Sequence, residues 1–422
     1  MKFELINLGC KVNAFETEAV GQQLERTGLV RADGKEPADV TVIFTCAVTN
    51  TAAAKSRKMI HRARRKNPQA VIAVAGCYAQ IEPEALKEAD ILIGTAHKQY
   101  LGEYISRYLN DHVSVRDVGN LKNVCFEPLP LDSFSQRTRA FLRIQDGCDQ
   151  YCAYCVIPFA RGHERSMDPD QVIAEVRKLS RYHKELVLAG IHTGRYGREY
   201  HMTLTDLLKR ILSEVSDLPR IRISSIEVTE LSDEFVDLFC REPRIAKHLH
   251  IPLQSGSDAV LKRMGRPYTA DEYYRKLEEI RSYVPDVSVS ADLMTGFPGE
   301  TDERFAETLS FLDRCRFSFL HVFPFSVRKG TAAEEMDGQV APEIRKQRAA
   351  VCLKRSEAYY EAYAKSMIGR DVQVLMETEH SGYTGEYLNV TLAGSYRQGE
   401  LIHAVITEVK DGIVYAGERE SA

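Results

Sequence analysis

No stretch of this 422-residue sequence approaches the roughly eighteen uninterrupted apolar residues of a membrane-spanning helix, which argues against a membrane partner. Cysteine is thin. Ten in the whole chain are too few for a disulfide scaffold, so in a reducing compartment the clustered ones read as metal ligands. Charge excess is missing as well: a formal net charge of -4 offers no global attraction to nucleic acid, and any such binding has to come from a local patch. The opening Met1-Lys2-Phe3-Glu4-Leu5 enters a strand pattern rather than a signal-peptide layout, so the expected location is the cytoplasm. What is present is ordinary for a globular protein, 44% hydrophobic and 27% charged, and the length suits about three domains.

The densest chemistry lies in Cys148-Asp149-Gln150-Tyr151-Cys152-Ala153-Tyr154-Cys155, a CxxxCxxC triplet after the apolar-rich run Ala140-Phe141-Leu142-Arg143-Ile144. Three thiolates on one short loop are one ligand fewer than a closed zinc site or a fully ligated iron-sulfur cluster takes. Either one iron of a cubane stays open to a small molecule, or a zinc ion finds its fourth ligand elsewhere.

Residues 1–125 alternate strands at 2–7, 40–44, 70–75 and 91–93 with helices at 14–26, 49–66 and 97–109 and a short segment at 83–88, the pattern of a flavodoxin-like, doubly wound α/β domain. Cys10, Cys46 and Cys77 each stand just past the carboxyl end of an apolar strand. Neighbouring parallel strands lie about 4.8 Å apart, so three such loops open on one crevice and can meet on one cluster. The plainer alternative is three cysteines used as small buried hydrophobes. The same region carries the one conspicuous basic run, in which Lys55, Lys58, Arg62 and Lys66 share a helical face that Arg57, Arg64 and Arg65 widen. It is a candidate phosphate-binding stripe, or simply a solvated helix face.

Residues 126–137 hold two prolines and no hydrophobic period, and read as a linker. Beyond them, strands expected at 139–145, 185–189, 220–226, 247–251, 287–293 and 318–323 alternate with helices, suggesting a partial TIM-like (β/α)6 barrel over 138–366. Polar and glycine-rich sets gather at or just after the carboxyl ends of these strands, at 148–155, 190–194, 224–227, 252–257, 295–300 and 324–326. His248 and His250 share a strand face, where hydrogen bonding is a more ordinary use than metal ligation. Thr269-Ala270-Asp271-Glu272 has capping-box spacing, and Cys125, Cys240, Cys315 and Cys352 have no ligand-like company. After a helix expected from 342 to about 367, the segment 367–422 is β-rich, with strands at 372–378, 383–392 and 401–408 and a last hairpin near 412–415, fitting a small OB-like five-stranded barrel. Its four Lys/Arg against nine Asp/Glu give no electrostatic case for strong RNA binding there.

The three parts together resemble the radical S-adenosylmethionine (radical SAM) methylthiotransferases, with an N-terminal three-cysteine domain, a radical SAM core and a C-terminal TRAM domain. Among the branches of that family, Leu8-Gly9-Cys10-Lys11-Val12-Asn13, Thr45-Cys46-Ala47-Val48-Thr49-Asn50 with Lys55-Ser56-Arg57, and Gly76-Cys77-Tyr78-Ala79-Gln80 are similar to the one acting on N6-threonylcarbamoyladenosine in tRNA. The isopentenyladenosine branch typically has GCQMN and GCMAQ and the ribosomal-protein aspartate branch GCPKN, and both remain alternatives, with a non-catalytic iron-sulfur electron carrier a more distant one. Phe44 departs from the usual pattern, which has Asn before Thr-Cys, so a hydrogen bond near Cys46 is expected to be absent.

The resemblance implies two [4Fe-4S] clusters. Cys148, Cys152 and Cys155 would hold the one that binds S-adenosylmethionine and generates a 5′-deoxyadenosyl radical, and Cys10, Cys46 and Cys77 the auxiliary one that carries the sulfur. The product would be the 2-methylthio derivative of the modified adenosine next to the anticodon, with no catalytic side chain required beyond the cluster ligands. Tyr154, Ser225, Glu227 and Gln254 are the expected cofactor contacts, and Lys55, Arg57, Lys58, Arg62, Arg64, Arg65 and Lys66 the expected RNA contacts. The implied partners are tRNA, an electron donor of flavodoxin or ferredoxin type, and a sulfur source.

Overall fold

The computed structural model describes residues 1–34, 36–134 and 137–418. Ser135 and Gln136 of the expected linker, and Arg419 with the last residues of the C-terminal segment, lie outside the described residues. No described helix is long and apolar enough to cross a membrane.

The N-terminal region is a six-stranded parallel sheet. Its order runs Val30–Arg31, Lys2–Asn7, Val40–Thr45, Val71–Gly76, Ile91–Ile93 and Val115–Asp117, which is the flavodoxin-like arrangement with one strand added at the far edge. The two edge strands escape a sequence reading because they are short and carry no buried residue. Strands Val40–Thr45 and Val71–Gly76 are buried on both faces, as near-continuous apolar runs in a parallel sheet demand. The first helix begins at Lys11 rather than at 14, with Cys10 as its N-cap. The segment at 83–88 is only a 3-10 turn, Pro83–Ala85, and the helix expected from 97 starts at Leu101 because His97 takes a left-handed conformation, φ 63°.

The central region is an open barrel of six parallel strands in chain order. Arg139–Arg143, Glu185–Ala189 and Arg220–Ile223 form one three-stranded sheet, and His248–His250, Ser288–Thr295 and Phe319–Pro324 another. They are joined where Ile221 bridges Ile245 and the Ile226 amide donates to the His250 carbonyl at 3.0 Å. Residues 224–227 therefore follow their strand rather than lie on it. The capping box at Thr269 and Glu272 forms as expected. Segment 126–137 has no regular element among its described residues, yet Leu129, Leu131 and Phe134 are buried in a core shared by Ala14, Phe15 and Ala19 of the first helix and the barrel strands. The N-terminal sheet is thereby welded to the barrel.

Helix Pro342–Ser366 crosses the barrel flank, where Ser356 Oγ accepts the Leu320 amide at 2.8 Å, and leads into a closed five-stranded β-barrel. The single strand expected at 383–392 is two strands, Ser381–Thr384 and Asn389–Leu392, because the chain reverses at Tyr387, φ 70°. That turn enters the floor of the large barrel. Tyr387 stacks on His248 with ring centroids 4.8 Å apart, and Arg222 donates to the carbonyls of Gly385 and Thr384 at 2.9 and 3.0 Å. Glu185, fully buried, aligns Arg222 and its neighbour Arg220 through contacts of 2.7 and 2.6 Å.

Candidate functional site

Backbone geometry first decides where the thiols sit. Gly76 holds φ +107°, and a Cβ there would stand 2.7 Å from the Thr45 carbonyl, so only glycine lets the strand end pass its neighbour and present Cys77. Gly147, φ +74°, does the same for Cys148: a Cβ would fall 1.9 Å from the His163 carbonyl. Cys10 and Cys77 begin helices, and Cys46 follows Thr45 directly, so the three expected strand-end positions all occur. Phe44, the departure in the motif, is buried in the N-terminal core, and the Cys46 thiol takes a backbone hydrogen bond from Val48.

Each triplet is surrounded by N–H donors. The Cys148 sulfur lies 3.5 Å from His192 Nδ1 and accepts the Gln150 amide at 3.5 Å, Cys152 accepts Arg266 Nη1 at 3.5 Å, and Cys155 accepts the Ile157 amide at 3.5 Å. In the other triplet Arg161 Nε donates to the Cys77 sulfur at 3.3 Å. Burial pushes the Cys77 thiol up to about 11 and the Cys155 thiol up to about 12, and it also raises Cys46 and Cys152. Such thiols ionise when a metal takes the proton's place, and the adjoining cations suit an anionic thiolate cluster. Among the described residues no three His, Cys, Asp or Glu groups gather around a single-ion position. Three free cysteines in each triplet are the donor chemistry of an iron-sulfur cluster with one iron left open.

A cavity of about 420 Å³ lies between the two regions, walled by Cys10 and Lys11 from the N-terminal sheet and by Ser225, Glu227, His250 and Asp292 from the barrel mouth. Lys11 Nζ donates to the Ser224 carbonyl at 3.4 Å. Its side chain is exposed and fronts this cavity. Enclosure by protein on its other sides, then the like charges of Arg222 and Arg139, bring its ammonium down to about 8. A second cavity of about 260 Å³, holding Tyr154, Cys155 and Gln254, has Asp292 in common with the first. The four expected cofactor contacts thus divide into two pairs, Ser225 with Glu227 and Tyr154 with Gln254, on either side of Asp292. Glu227 is paired with Arg266, which also reaches Tyr268 at 3.1 Å. His248 and His250 both bond Ser290 Oγ at 2.9 Å, and His250 meets Asp292 at 3.3 Å, so the pair serves hydrogen bonding.

Behind both triplets lies a polar cluster that no motif announced. Glu16 pairs with Arg143 at 2.9 Å, Arg161 at 3.1 Å and Lys98 at 3.2 Å, while Asp146 pairs with Arg161 at 3.0 Å, Arg143 at 3.1 Å and Arg165 at 3.0 Å, all of them buried. Arg161 also donates to Asn13 at 2.9 Å and to Cys77, so one guanidinium of the barrel region ties the carboxylate cluster to a cysteine of the N-terminal triplet. His192 is held by Glu230 at 2.6 Å; burial would lower it, but Cys148 and Glu230 together raise it to about 9.

The basic run forms helix Asn50–Lys66, capped by Thr49. Lys55, Lys58, Arg62, Arg65 and Lys66 are exposed. Arg64 is engaged by Asp90 at 2.7 Å and the Ala70 carbonyl at 2.8 Å, Arg57 donates to the Tyr78 hydroxyl, and Lys66 meets Glu4 at 3.4 Å.

Residues 142–312 match the radical SAM superfamily, and residues 2–94 match a family described as uncharacterized protein family UPF0004. The threonylcarbamoyladenosine tRNA methylthiotransferase MtaB of Bacillus subtilis (strain 168) is 41% identical over 403 residues, covering 92% of this chain and 89% of that protein. This chain belongs to that methylthiotransferase family. The Thermotoga maritima protein of the same name is 37% identical over 94% of this chain and 92% of its own length. Among solved structures, the radical S-adenosylmethionine methyltransferase TsrM from Kitasatospora setae superposes with a TM-score of 0.57 over 79% of this chain and 77% of that one, and at 14% identity it supports the fold alone.

Proposed function

We propose that this protein methylthiolates C2 of N6-threonylcarbamoyladenosine in tRNA, using S-adenosylmethionine and two [4Fe-4S] clusters. The observation that carries the reading is the shared cavity: Cys10, which would ligate the sulfur-bearing cluster, and Ser225 and Glu227 of the barrel mouth wall one space large enough for a nucleoside. When bound, the clusters supply electron transfer and the sulfur atom, chemistry that belongs to them rather than to the chain. Cys148, Cys152 and Cys155 are assigned to one and Cys10, Cys46 and Cys77 to the other. The chain's own contribution is positioning: Arg266 fixes Glu227 at the cavity wall and donates to Cys152, Gln254 and Tyr154 enclose the neighbouring pocket, and the barrel floor sealed by Tyr387 excludes water from below. Lys55, Lys58, Arg62, Arg65 and Lys66 are assigned to tRNA phosphates, with Arg57 and Arg64 holding the helix in place. The functional parts are 1–125, a connecting segment 126–137, 138–366 and 367–422. A flavodoxin- or ferredoxin-type electron donor and a sulfur source complete the cycle in the cytoplasm.

The test is anaerobic reconstitution followed by nucleoside analysis of tRNA. Replacing Cys148, Cys152 and Cys155 with Ala should remove about half of the iron and all S-adenosylmethionine cleavage. Replacing Cys10, Cys46 and Cys77 should leave cleavage but abolish the methylthio product. Product from the second triple variant would refute the assignment.

A further inference from the structure

We propose that Lys11 is a specificity-determining residue that binds the carboxylate of the threonylcarbamoyl group on the substrate adenosine. The inference rests on the function proposed above and deepens it. Lys11 opens helix Lys11–Arg26, immediately after Cys10, and fronts the 420 Å³ cavity. The other charged groups on that wall are already matched: Glu227 with Arg266, Asp292 with His250, and His192 with Glu230. Lys11 has no ion pair among the described residues, and its one hydrogen bond is the long contact to the Ser224 carbonyl. An ammonium that fronts an open cavity and makes no ion pair of its own is a ready site for an anionic ligand group.

Two carboxylates could meet it, that of S-adenosylmethionine and that of the substrate's threonine. Position favours the second. None of Cys148, Cys152 and Cys155 walls the cavity that Lys11 fronts, whereas Cys10 does, and Cys155 opens on the neighbouring pocket. A cofactor anchored at the first triplet keeps its carboxylate there, while the adenine must bring C2 toward the sulfur beside Cys10. In adenine, C2 and the carbon bearing N6 are both bonded to N1, so the N6 arm extends along the same wall as the reacting carbon. A threonylcarbamoyl arm gives the ammonium its missing partner. A hydrocarbon arm would leave it unpaired, which a polar site penalises.

The experiment measures equilibrium binding of the full chain to an anticodon stem-loop RNA carrying threonylcarbamoyladenosine, and to the same RNA with that carboxylate converted to its methyl amide. The parent protein should prefer the carboxylate roughly tenfold to a hundredfold, as a charge-assisted hydrogen bond is worth. Lys11→Met should cut the preference to about threefold or less, and Lys11→Arg should keep most of it, which separates loss of charge from loss of fold. If the parent prefers the carboxylate and Lys11→Met does so equally, the assignment to Lys11 fails while the function stands. A Lys11→Met variant that keeps the preference but loses affinity for S-adenosylmethionine moves the ammonium to the cofactor and likewise overturns the proposal. A parent that prefers neither RNA and forms no methylthio product takes the underlying function down with it.

Discussion

Replacing Glu16 with Gln tests how the N-terminal sheet is fastened to the barrel. The substitution keeps the shape of the side chain and removes one negative charge from a site with no solvent exposure. Burial by itself would raise this carboxyl, but Arg161, Lys98 and Arg143 outweigh it and hold the group below the usual carboxylate range. With Gln at 16, these three cations and Arg165 would share the single carboxylate of Asp146. Breaking a buried ion pair from one side costs about 3–5 kcal/mol, chiefly because the remaining charges lose their compensation. Glu16 and Lys98 belong to the N-terminal region and Arg143, Asp146, Arg161 and Arg165 to the barrel, so the loss should appear as undocking rather than as global unfolding. Hydrogen exchange should therefore accelerate by about two to four orders of magnitude in Lys11–Arg26 and Ile157–Arg161, with strand Val71–Gly76 much less affected. The double variant Glu16→Gln/Arg161→Met should recover part of the loss, since it removes a cation together with its anion. Unchanged exchange in the single variant, or fully additive effects in the double one, would refute the account.

Three further outcomes follow from the same geometry. Tyr387→Ala should weaken docking of the small barrel by roughly 2–3 kcal/mol, through the lost stack on His248 and the lost contact with Arg222, and limited proteolysis near 367–370 would register it. For Glu185, burial favours the neutral acid but Arg222 and Arg220 bring the carboxyl down to about 2; a depressed folded value means that the stabilisation is complete above the ordinary value near 4.3 and is lost as pH falls toward 2. The stability gap between parent and Glu185→Gln should accordingly shrink between pH 5 and pH 2, and a constant gap would contradict it. Changing Lys55, Lys58, Arg62 and Arg65 to Ala should flatten the slope of log affinity for tRNA against log salt by roughly 0.7–0.9 per lost phosphate contact, whereas Arg64→Ala should chiefly loosen the helix, because its guanidinium serves Asp90 and the Ala70 carbonyl.

What was legible in the sequence, and what was not, follows from the range of the interactions. Cys10, Cys46 and Cys77 could be placed because each needs only its own strand end, and the six barrel strands because each carries its own apolar run. The split of 383–392 escaped because the residue that reverses the chain is Tyr387, in a left-handed conformation that glycine ordinarily signals. The Glu16 cluster left a mark that could have been read. Val12, Glu16, Val20 and Leu24 step by four along one helix and all four are buried, so a carboxylate stands in the middle of an apolar stripe. A charge in that position demands a buried counter-ion, and that much is local. Which counter-ion answers is not, since Arg143 and Arg161 lie 127 and 145 residues further along the chain. Both arginines sit in short apolar segments of their own, Arg139–Arg143 and Ile157–Arg161, where each looks like a charge at an element's end. Only the docking of two separately legible regions makes the three side chains one group, and it is that docking which also sets Cys77 beside Arg161 and Lys11 across from the barrel mouth.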